Sequence, residues 1–116
     1  MAQLQPPVRI LRGDVWWVAL DPAFGSEIAK TRPCVVVTHD LVSANRRTVV
    51  VVPLSTAQKG RAPIAVPVVC AGKPARAAVD QVRAVDKERL LSHMGRLAID
   101  DLRAVDAALL KVLDLG

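Results

Sequence analysis

Short apolar runs separated by turn residues are the feature that most restricts how this chain can fold. The clearest is a run of four consecutive valines at 49–52, which Pro53 follows at once. A run this short and this rich in β-branched residues is typical of a strand buried on both faces, in a sheet centre or at a subunit interface. We therefore predict a strand at 48–52 that Pro53 ends. Further runs predict four more strands, at 14–20, 33–38, 64–69 and 76–83.

Towards the C-terminus the apolar residues change to a helical period, which predicts an amphipathic helix over 99–113. Its apolar face consists of Leu102, Val105, Leu109, Val112 and Leu113. Short helical turns are expected to begin at Asp40 and Asp86, and an extended piece at 94–97 is expected to add a last strand. The predicted fold is mainly β with α (α+β): a strongly curved five- or six-stranded antiparallel sheet, close to a small barrel, with a C-terminal helix.

Particular residues predict further details of the sheet, namely side-chain orientation and strand position. Because side chains alternate along a strand, Trp16 and Trp17 lie on opposite faces. One enters the core, and the other needs a second cover: a helix, a partner subunit or a ligand base. Pro67 predicts that the strand at 64–69 is an edge strand, since proline has no N–H for a second neighbour. Asp80 and Gln81 fall inside the predicted fifth strand.

The chain is long enough for one domain only. Its 116 residues, of which 52% are hydrophobic, predict a single packed unit over 9–116. Residues 1–8 hold two prolines and no periodic pattern, so a disordered tail is expected there.

The charge is positive and unevenly distributed. The formal net charge is +5, and residues 1–85 carry eleven Lys/Arg against five Asp/Glu. Such an excess favours a polyanionic partner on that part of the chain, with surface charge for solubility as the alternative.

The cysteine and histidine content excludes some classes of site. Two cysteines and two separated histidines do not provide the closely spaced pairs of a zinc site, so neither a metal nor a cofactor is expected. Cys34 and Cys70 lie inside apolar runs and are expected to be buried free thiols, with a single disulfide between them as the alternative. No signal peptide and no membrane-spanning run are recognised, which favours a cytoplasmic location.

Polar residues interrupt the apolar framework at three places: the loop at 25–33, Ser55-Thr56 after the valine strand, and Asp80-Gln81. Because strand ends converge in a small barrel, these groups are expected to share one pocket. From the residues alone, Arg32 is either a phosphate-binding group or the partner of Glu27 in an ion pair.

The order of these motifs resembles the MazF/PemK toxins of bacterial toxin–antitoxin modules. The matching segments are RGD at 12–14, DP at 21–22, GSE at 25–27, RPCVVV at 32–37, VPLS at 52–55, DQVR at 80–83 and DKERL at 86–90. The resemblance implies a small SH3-like, CcdB-like barrel and a homodimer. It also implies metal-independent cleavage of single-stranded RNA at short specific sequences, and inhibition by a cognate acidic antitoxin.

The resemblance also implies the catalytic residues. Arg32 matches the essential arginine of the family, whose planar guanidinium can grip two phosphate oxygens. Ser55 occupies the position of the essential Thr or Ser, with Thr56 beside it as the alternative. A turn-capping hydroxyl is the structural alternative for Ser55. Glu27 matches the acid of the loop and is expected either to act as general base or to hold Arg32 in position.

The remaining candidates are expected to bind RNA. Gln81 matches an amide that reads a base or ties strand ends together. Cationic side chains that suit phosphate contacts are Lys30, Arg46, Arg47, Lys59, Arg61 and Arg83. His39 and His93 match no functional position of the family and are excluded. Two alternatives stay open: a CcdB-like toxin that binds gyrase, and a catalytically silent module of the same fold that binds RNA or a peptide.

Overall fold

The structure is a computed structural model that describes residues 9–57 and 59–116; the tail expected at 1–8 lies outside the described residues. Within these ranges it has seven strands and two α-helices. The strands are β1 (Asp14–Ala19), β2 (Thr31–Val36), β3 (Thr48–Ser55), β4 (Ala65–Cys70), β5 (Lys73–Ala78), β6 (Arg83–Asp86) and β7 (Leu90–Arg96). The helices are α1 (Asp40–Asn45) and α2 (Ile99–Val112), and 3-10 turns occupy Val79–Gln81 and Lys87–Arg89.

All strands pair antiparallel in the order β4-β5-β3-β2-β1-β7, and β6 pairs with β3. The predicted curved antiparallel sheet with a C-terminal helix is confirmed, with seven strands in place of five or six. Strand β4 pairs only with β5, so Pro67 correctly predicted an edge strand. The valine run is central as well: Val49, Val51 and Val52 are fully buried.

The prediction that Pro53 ends β3 is wrong. The strand continues to Ser55, and Pro53 lies opposite Cys34 of β2. Residues 48–51 of β3 pair with β6, whereas Leu54 and Ser55 pair with β5. Pro53 therefore lies where β3 exchanges one neighbour for another. A proline fits an extended backbone there, because its cost in a sheet is the loss of an N–H donor.

The fifth strand is also shorter than predicted. Strand β5 ends at Ala78, and the Val79–Gln81 turn leads the chain into β6. This turn allows two separate strands to pair with the two ends of β3. Asp80 and Gln81 consequently lie on a turn, where their side chains face a neighbouring loop rather than a sheet face.

Two hydrophobic clusters lie on the two faces of the sheet. Trp16, which is 7% exposed, belongs to one cluster, whereas Trp17 is 38% exposed. This confirms their opposite orientations. The other cluster includes the inner face of α2, formed by Leu102, Val105 and Ala108. The prediction that Leu113 belongs to this face is wrong, because α2 ends at Val112 and Leu113 is exposed.

The two faces of α2 give a stability test. Leu102→Ala is expected to lower the free energy of unfolding by about 2–5 kcal/mol, because it leaves a cavity under the helix. Leu110, which is 49% exposed on the same helix, is the matched control. Its change to alanine is expected to cost less than about 1 kcal/mol. Urea unfolding followed by circular dichroism measures both, and equal losses would contradict this packing.

Candidate active site

The pairing of β2 with β3 brings Arg32 to Ser55. The β2–β3 ladder ends at the pair Cys34–Pro53, and Arg32 and Ser55 each lie two residues beyond it, at the same end of the ladder. The Arg32 side chain is exposed at the end of the sheet, and Ser55 is half-buried. Both line one cleft of about 330 Å³, together with Thr56.

The walls of this cleft are mainly apolar. Strands β1 and β7 contribute Trp17 and Met94, and the β4–β5 hairpin closes another side. The other lining residues are Pro33, Leu54, Cys70, Ala71, Lys73, Pro74 and Ala75. A half-exposed indole beside a guanidinium suits a nucleotide, whose base can stack while its phosphate is held.

A second cleft continues the first across the sheet. It has a volume of about 570 Å³ and shares Ser55, Thr56, Pro74 and Ala75 with the first. The residues that line only the second cleft are Pro67, Val68, Val69, Arg76 and Asp101. The two clefts form one groove, which we call the Arg32 groove, and Ser55 and Thr56 lie at its middle.

The two hydroxyl groups differ in their contacts. The Ser55 Oγ accepts a hydrogen bond of 3.1 Å from the Ala57 amide, so the turn-capping alternative is realised. This bond uses an acceptor position, and the hydroxyl proton stays available for a ligand. Thr56 is exposed, and its side chain makes no hydrogen bond with any residue that the structure describes.

Glu27 lies in a separate cleft of about 320 Å³, with Ser26, Asp80, Gln81, Val82 and Arg83. Its Oε1 accepts a 2.6 Å hydrogen bond from the Phe24 amide of its own loop. Among the described residues, it forms no ion pair with Arg32. The expectation that all three polar sites share one pocket is therefore wrong, as is the ion-pair interpretation of Arg32.

Gln81 holds the β1–β2 loop in place. Its Oε1 accepts from the Ile28 amide at 2.8 Å, and its Nε2 donates to the Ser26 carbonyl at 3.1 Å. Of the two interpretations of Gln81, the structure realises the one in which the amide ties chain segments together. Its amide is already engaged within the chain, which leaves little of it for a base.

Two arginines hold the base of the same loop. Arg89 Nη1 donates to the carbonyl oxygens of Ala19, at 2.9 Å, and of Asp21. Arg83 Nη1 lies 3.4 Å from the Leu20 carbonyl oxygen. The candidate phosphate ligand Arg83 is thus turned towards the loop backbone.

Lys30 has a backbone role in this loop. Its amide donates to Asp21 Oδ1 at 2.9 Å, and its φ of 67° is in the left-handed region. The side chain is exposed and lines neither part of the Arg32 groove.

The other candidate cations divide between the two ends of β3. Lys59 and Arg61 are exposed on the loop that follows Ser55 and Thr56, near the groove. Arg46 and Arg47 precede β3, so about 26 Å of extended strand separates Arg47 from Ser55. The structure does not bring these two arginines to the groove.

Sequence reasoning assigned no role to Lys73 and Arg76, which line the groove, and left the cover of Trp17 open. Arg76 is the first residue of the strand predicted at 76–83, and Lys73 precedes it outside the predicted strands. Nothing in the sequence indicated that the β4–β5 hairpin folds beside the end of β3. The alternation at Trp16 and Trp17 was the one available signal, since it required a cover for the second ring.

Both cysteines are buried free thiols, as predicted. Burial raises the pKa of Cys34 to about 12, although the positive charge of Arg83 opposes this shift. Burial also raises the pKa of Cys70, which lines the groove. Neither thiol is a good nucleophile near neutral pH, because the thiolate is the reactive form.

In residues 9–57 and 59–116, no group of three or more His, Cys, Asp or Glu side chains is arranged to hold a metal ion. Over the same residues, none of the helices is both long and apolar enough to span a membrane.

The protein is a small curled antiparallel-sheet protein with a basic, partly apolar groove at one end. Comparisons with known proteins identify its family. Residues 11–113 match the family described as PemK-like, MazF-like toxin of type II toxin-antitoxin system. The chain is 35% identical to endoribonuclease MazF9 of Mycobacterium tuberculosis over 113 residues, which cover 90% of this chain and 96% of that one.

Solved structures agree on the fold. MazF from Deinococcus radiodurans superposes with a TM-score of 0.83 at 21% identity, covering 93% of this chain and 99% of that one. A mycobacterial endoribonuclease, solved in complex with its cognate antitoxin, gives a TM-score of 0.77 at 21% identity and covers 92% and 97%. The chain belongs to the family of PemK-like, MazF-like toxins of type II toxin–antitoxin systems.

The contacts of Gln81 give a prediction for the loop. Gln81→Ala removes the two hydrogen bonds to Ser26 and Ile28, and hydrogen exchange at the Ile28 amide is expected to become faster. The free energy of unfolding is expected to fall by about 1–3 kcal/mol. Asn45→Ala is the control, since it removes a side-chain amide bound to a carbonyl in α1 and leaves the loop untouched. Unchanged exchange at Ile28 in Gln81→Ala would contradict this role.

The burial of Cys34 gives a prediction for alkaline pH. Above its ordinary pKa of 9.0 the thiol ionises in the unfolded chain, whereas in the folded chain it stays protonated up to about pH 12. The unfolded state therefore releases the proton first, and the free energy of unfolding falls as pH rises from 9 towards 12. Urea unfolding at a series of pH values should show a smaller fall in Cys34→Ala. The chain has no tyrosine to add a slope in this range. An identical slope in both proteins would refute the prediction.

Proposed function

We propose that this toxin is a metal-independent endoribonuclease that cuts single-stranded RNA, such as mRNA, at short specific sequences. The observation that supports the proposal is that Arg32 and Ser55, at the same end of the β2–β3 ladder, line one groove. The relative at 35% identity bears the name of an endoribonuclease, which supports the same activity here.

The chemistry follows from the groups in the groove. The 2′-hydroxyl of the RNA attacks the adjacent phosphate, and the products are a 2′,3′-cyclic phosphate and a 5′-hydroxyl. Negative charge builds up on the phosphorane, and the Arg32 guanidinium stabilises it with two parallel hydrogen bonds. Ser55 lines the same cleft as Arg32, and its hydroxyl donates to the same phosphate, with Thr56 next to it.

Glu27 is assigned a supporting role. Its carboxylate caps its own loop at the Phe24 amide and lies in the neighbouring cleft with Gln81. This position favours ordering of the loop that leads into Arg32 over proton transfer at the phosphate.

The RNA is proposed to follow the Arg32 groove. One base stacks on Trp17, the scissile phosphate lies at Arg32 and Ser55, and the next nucleotides pass Arg76. Lys59 and Arg61 attract the flanking phosphates from the loop beside the groove. Arg46 and Arg47 contact RNA only if the strand wraps to the opposite end of the sheet.

The partners are proposed on the same basis. A cognate antitoxin with an acidic segment would occupy the groove in place of RNA and so inhibit cleavage. A homodimer of single domains spanning 9–116 is the proposed assembly, acting in the cytoplasm on mRNA.

Arg32→Ala tests the activity. In excess EDTA, the wild-type protein is expected to cut a long single-stranded RNA to fragments with 5′-hydroxyl ends. Loss of the guanidinium is expected to slow cleavage by about 100-fold or more, because one preorganised donor to the phosphorane is lost. The rate is measured on gels, and the ends are identified by their labelling with polynucleotide kinase.

Arg103→Ala is the matched control, since Arg103 is exposed on α2 and lines neither part of the Arg32 groove. RNA that stays intact with micromolar wild-type protein would overturn the proposal. Binding of intact RNA would then favour a silent binding module, and arrested DNA replication would favour a CcdB-like gyrase poison.

A further inference from the structure

We propose that Lys73 is a catalytic residue of this toxin, one that holds the scissile phosphate together with Arg32 and protonates the departing 5′-oxygen. This inference rests on the proposed endoribonuclease function. It assigns the proton donor that this reaction needs and that a guanidinium supplies poorly.

The sheet order gives Lys73 its position. Strands β5 and β2 lie on opposite sides of β3, and Ser55 and Thr56 are at the end of β3 between them. Lys73 begins β5, and Arg32 is the second residue of β2. On the β5 side Ser55 pairs with Arg76, and Lys73 lies three residues before Arg76, at the hairpin end of β5. Lys73, Arg32, Ser55 and Thr56 all line the same cleft, with the two cations on different neighbours of β3.

The local chain holds Lys73 at this place. It pairs with Cys70 across the tight hairpin between β4 and β5. Pro74 follows it and restricts the Lys73 backbone to an extended conformation. Cys70, Ala71 and Pro74 line the cleft beside it, so the stem of the side chain starts at the cleft wall.

The charge of Lys73 has no partner within the described part of the chain, whereas several other cations are engaged. Arg12 pairs with Asp106, Arg96 with Asp14, and Lys87 Nζ donates to the Ser43 carbonyl. Among the residues that the structure describes, Lys73 has no hydrogen bond or ion pair from its ammonium group, and the same is true of the Arg32 guanidinium. Two unpaired cations facing one cleft suit a ligand with two negative charges, such as a phosphorane.

The choice of Lys73 as proton donor follows from what else lines the cleft. Its described lining holds neither a carboxylate nor a histidine. A guanidinium keeps its proton up to a pKa of at least about 12.5, whereas the reference value of a lysine ammonium is about 10.4. The Cys70 thiol is 8% exposed and little accessible. Lys73 is therefore the best acid among the described groups of the cleft.

The step balances with water as the only co-reactant. The 2′-hydroxyl releases its proton to water, and its oxygen forms a bond to phosphorus. The bond between phosphorus and O5′ breaks, and its electron pair stays on O5′. Lys73 Nζ gives a proton to that oxygen, and the hydronium formed in the first event restores the ammonium.

The test compares two leaving groups. After the cleavage site has been mapped on a long RNA, an oligonucleotide containing it is made with oxygen or with sulfur at the bridging 5′ position. A thiolate leaves without a proton, so the sulfur substrate does not need the acid. Lys73→Ala is expected to slow cleavage of the oxygen substrate by about 100-fold. The slowing of the sulfur substrate is expected to be at least about tenfold smaller, because that substrate loses the charge of Lys73 but does not need its proton.

Two variants complete the design. Lys73→Arg keeps the charge and withholds the proton, so it should bind RNA like the wild type and still cut the oxygen substrate slowly. Lys111→Ala, on the exposed face of α2, removes a lysine far from the cleft and should leave both rates unchanged. Circular dichroism and the unfolding midpoint check that each variant folds.

The outcomes separate the two proposals. If the wild type cuts neither substrate, the endoribonuclease function itself fails. If the wild type cuts and Lys73→Ala cuts the oxygen substrate at the same rate, Lys73 is not catalytic. If Lys73→Ala slows both substrates equally, or if Lys73→Arg restores the full rate, Lys73 does not act as the acid and the inference is overturned.

Discussion

The exchange of neighbours along β3 is the constraint on which the rest of this structure depends. One strand pairs with β6 at its beginning, with β2 in its middle and with β5 at its end, and Pro53 lies at the change. The sheet curls so that the single strand β3 pairs with β6, β2 and β5. That curl sets the end of β3 between two neighbours that carry Arg32 and Lys73, so that the groove is a product of the fold rather than of a loop.

The β1–β2 loop is held mainly by side chains from other parts of the chain. Gln81, Arg83 and Arg89 come from the far side of the sequence and bind backbone atoms between Ala19 and Ile28. Each bond is worth about 1 kcal/mol net, yet together they fix where β2 begins. These bonds therefore also fix the position of the backbone that leads into Arg32, at the start of β2.

The sequence was most informative where burial decides the structure. The valine run, the alternation at Trp16 and Trp17 and the period of α2 each report a local preference. The structure agrees with these predictions except at Leu113, which lies beyond the end of α2 and is exposed. The failures lie where pairing partners decide. Whether Pro53 ends a strand depends on which neighbour faces its missing N–H. Whether Glu27 meets Arg32 depends on the path of the loop, and the place of Lys73 in the cleft depends on a hairpin that lies far from Arg32 in sequence.

The outer edge of β4 is protected against edge-to-edge pairing with strands of other chains. An edge strand offers a row of amide groups on which a foreign strand can grow. Here the outward amide of Val69 is bound to Asp101 Oδ2 at 2.9 Å. Pro67, two residues earlier on the same side, has no amide hydrogen at all. Two successive amide positions at this edge are thus unavailable to a foreign strand, one because α2 binds it and one because it belongs to a proline. This protects the edge beside the exposed basic groove against amyloid-like strand addition.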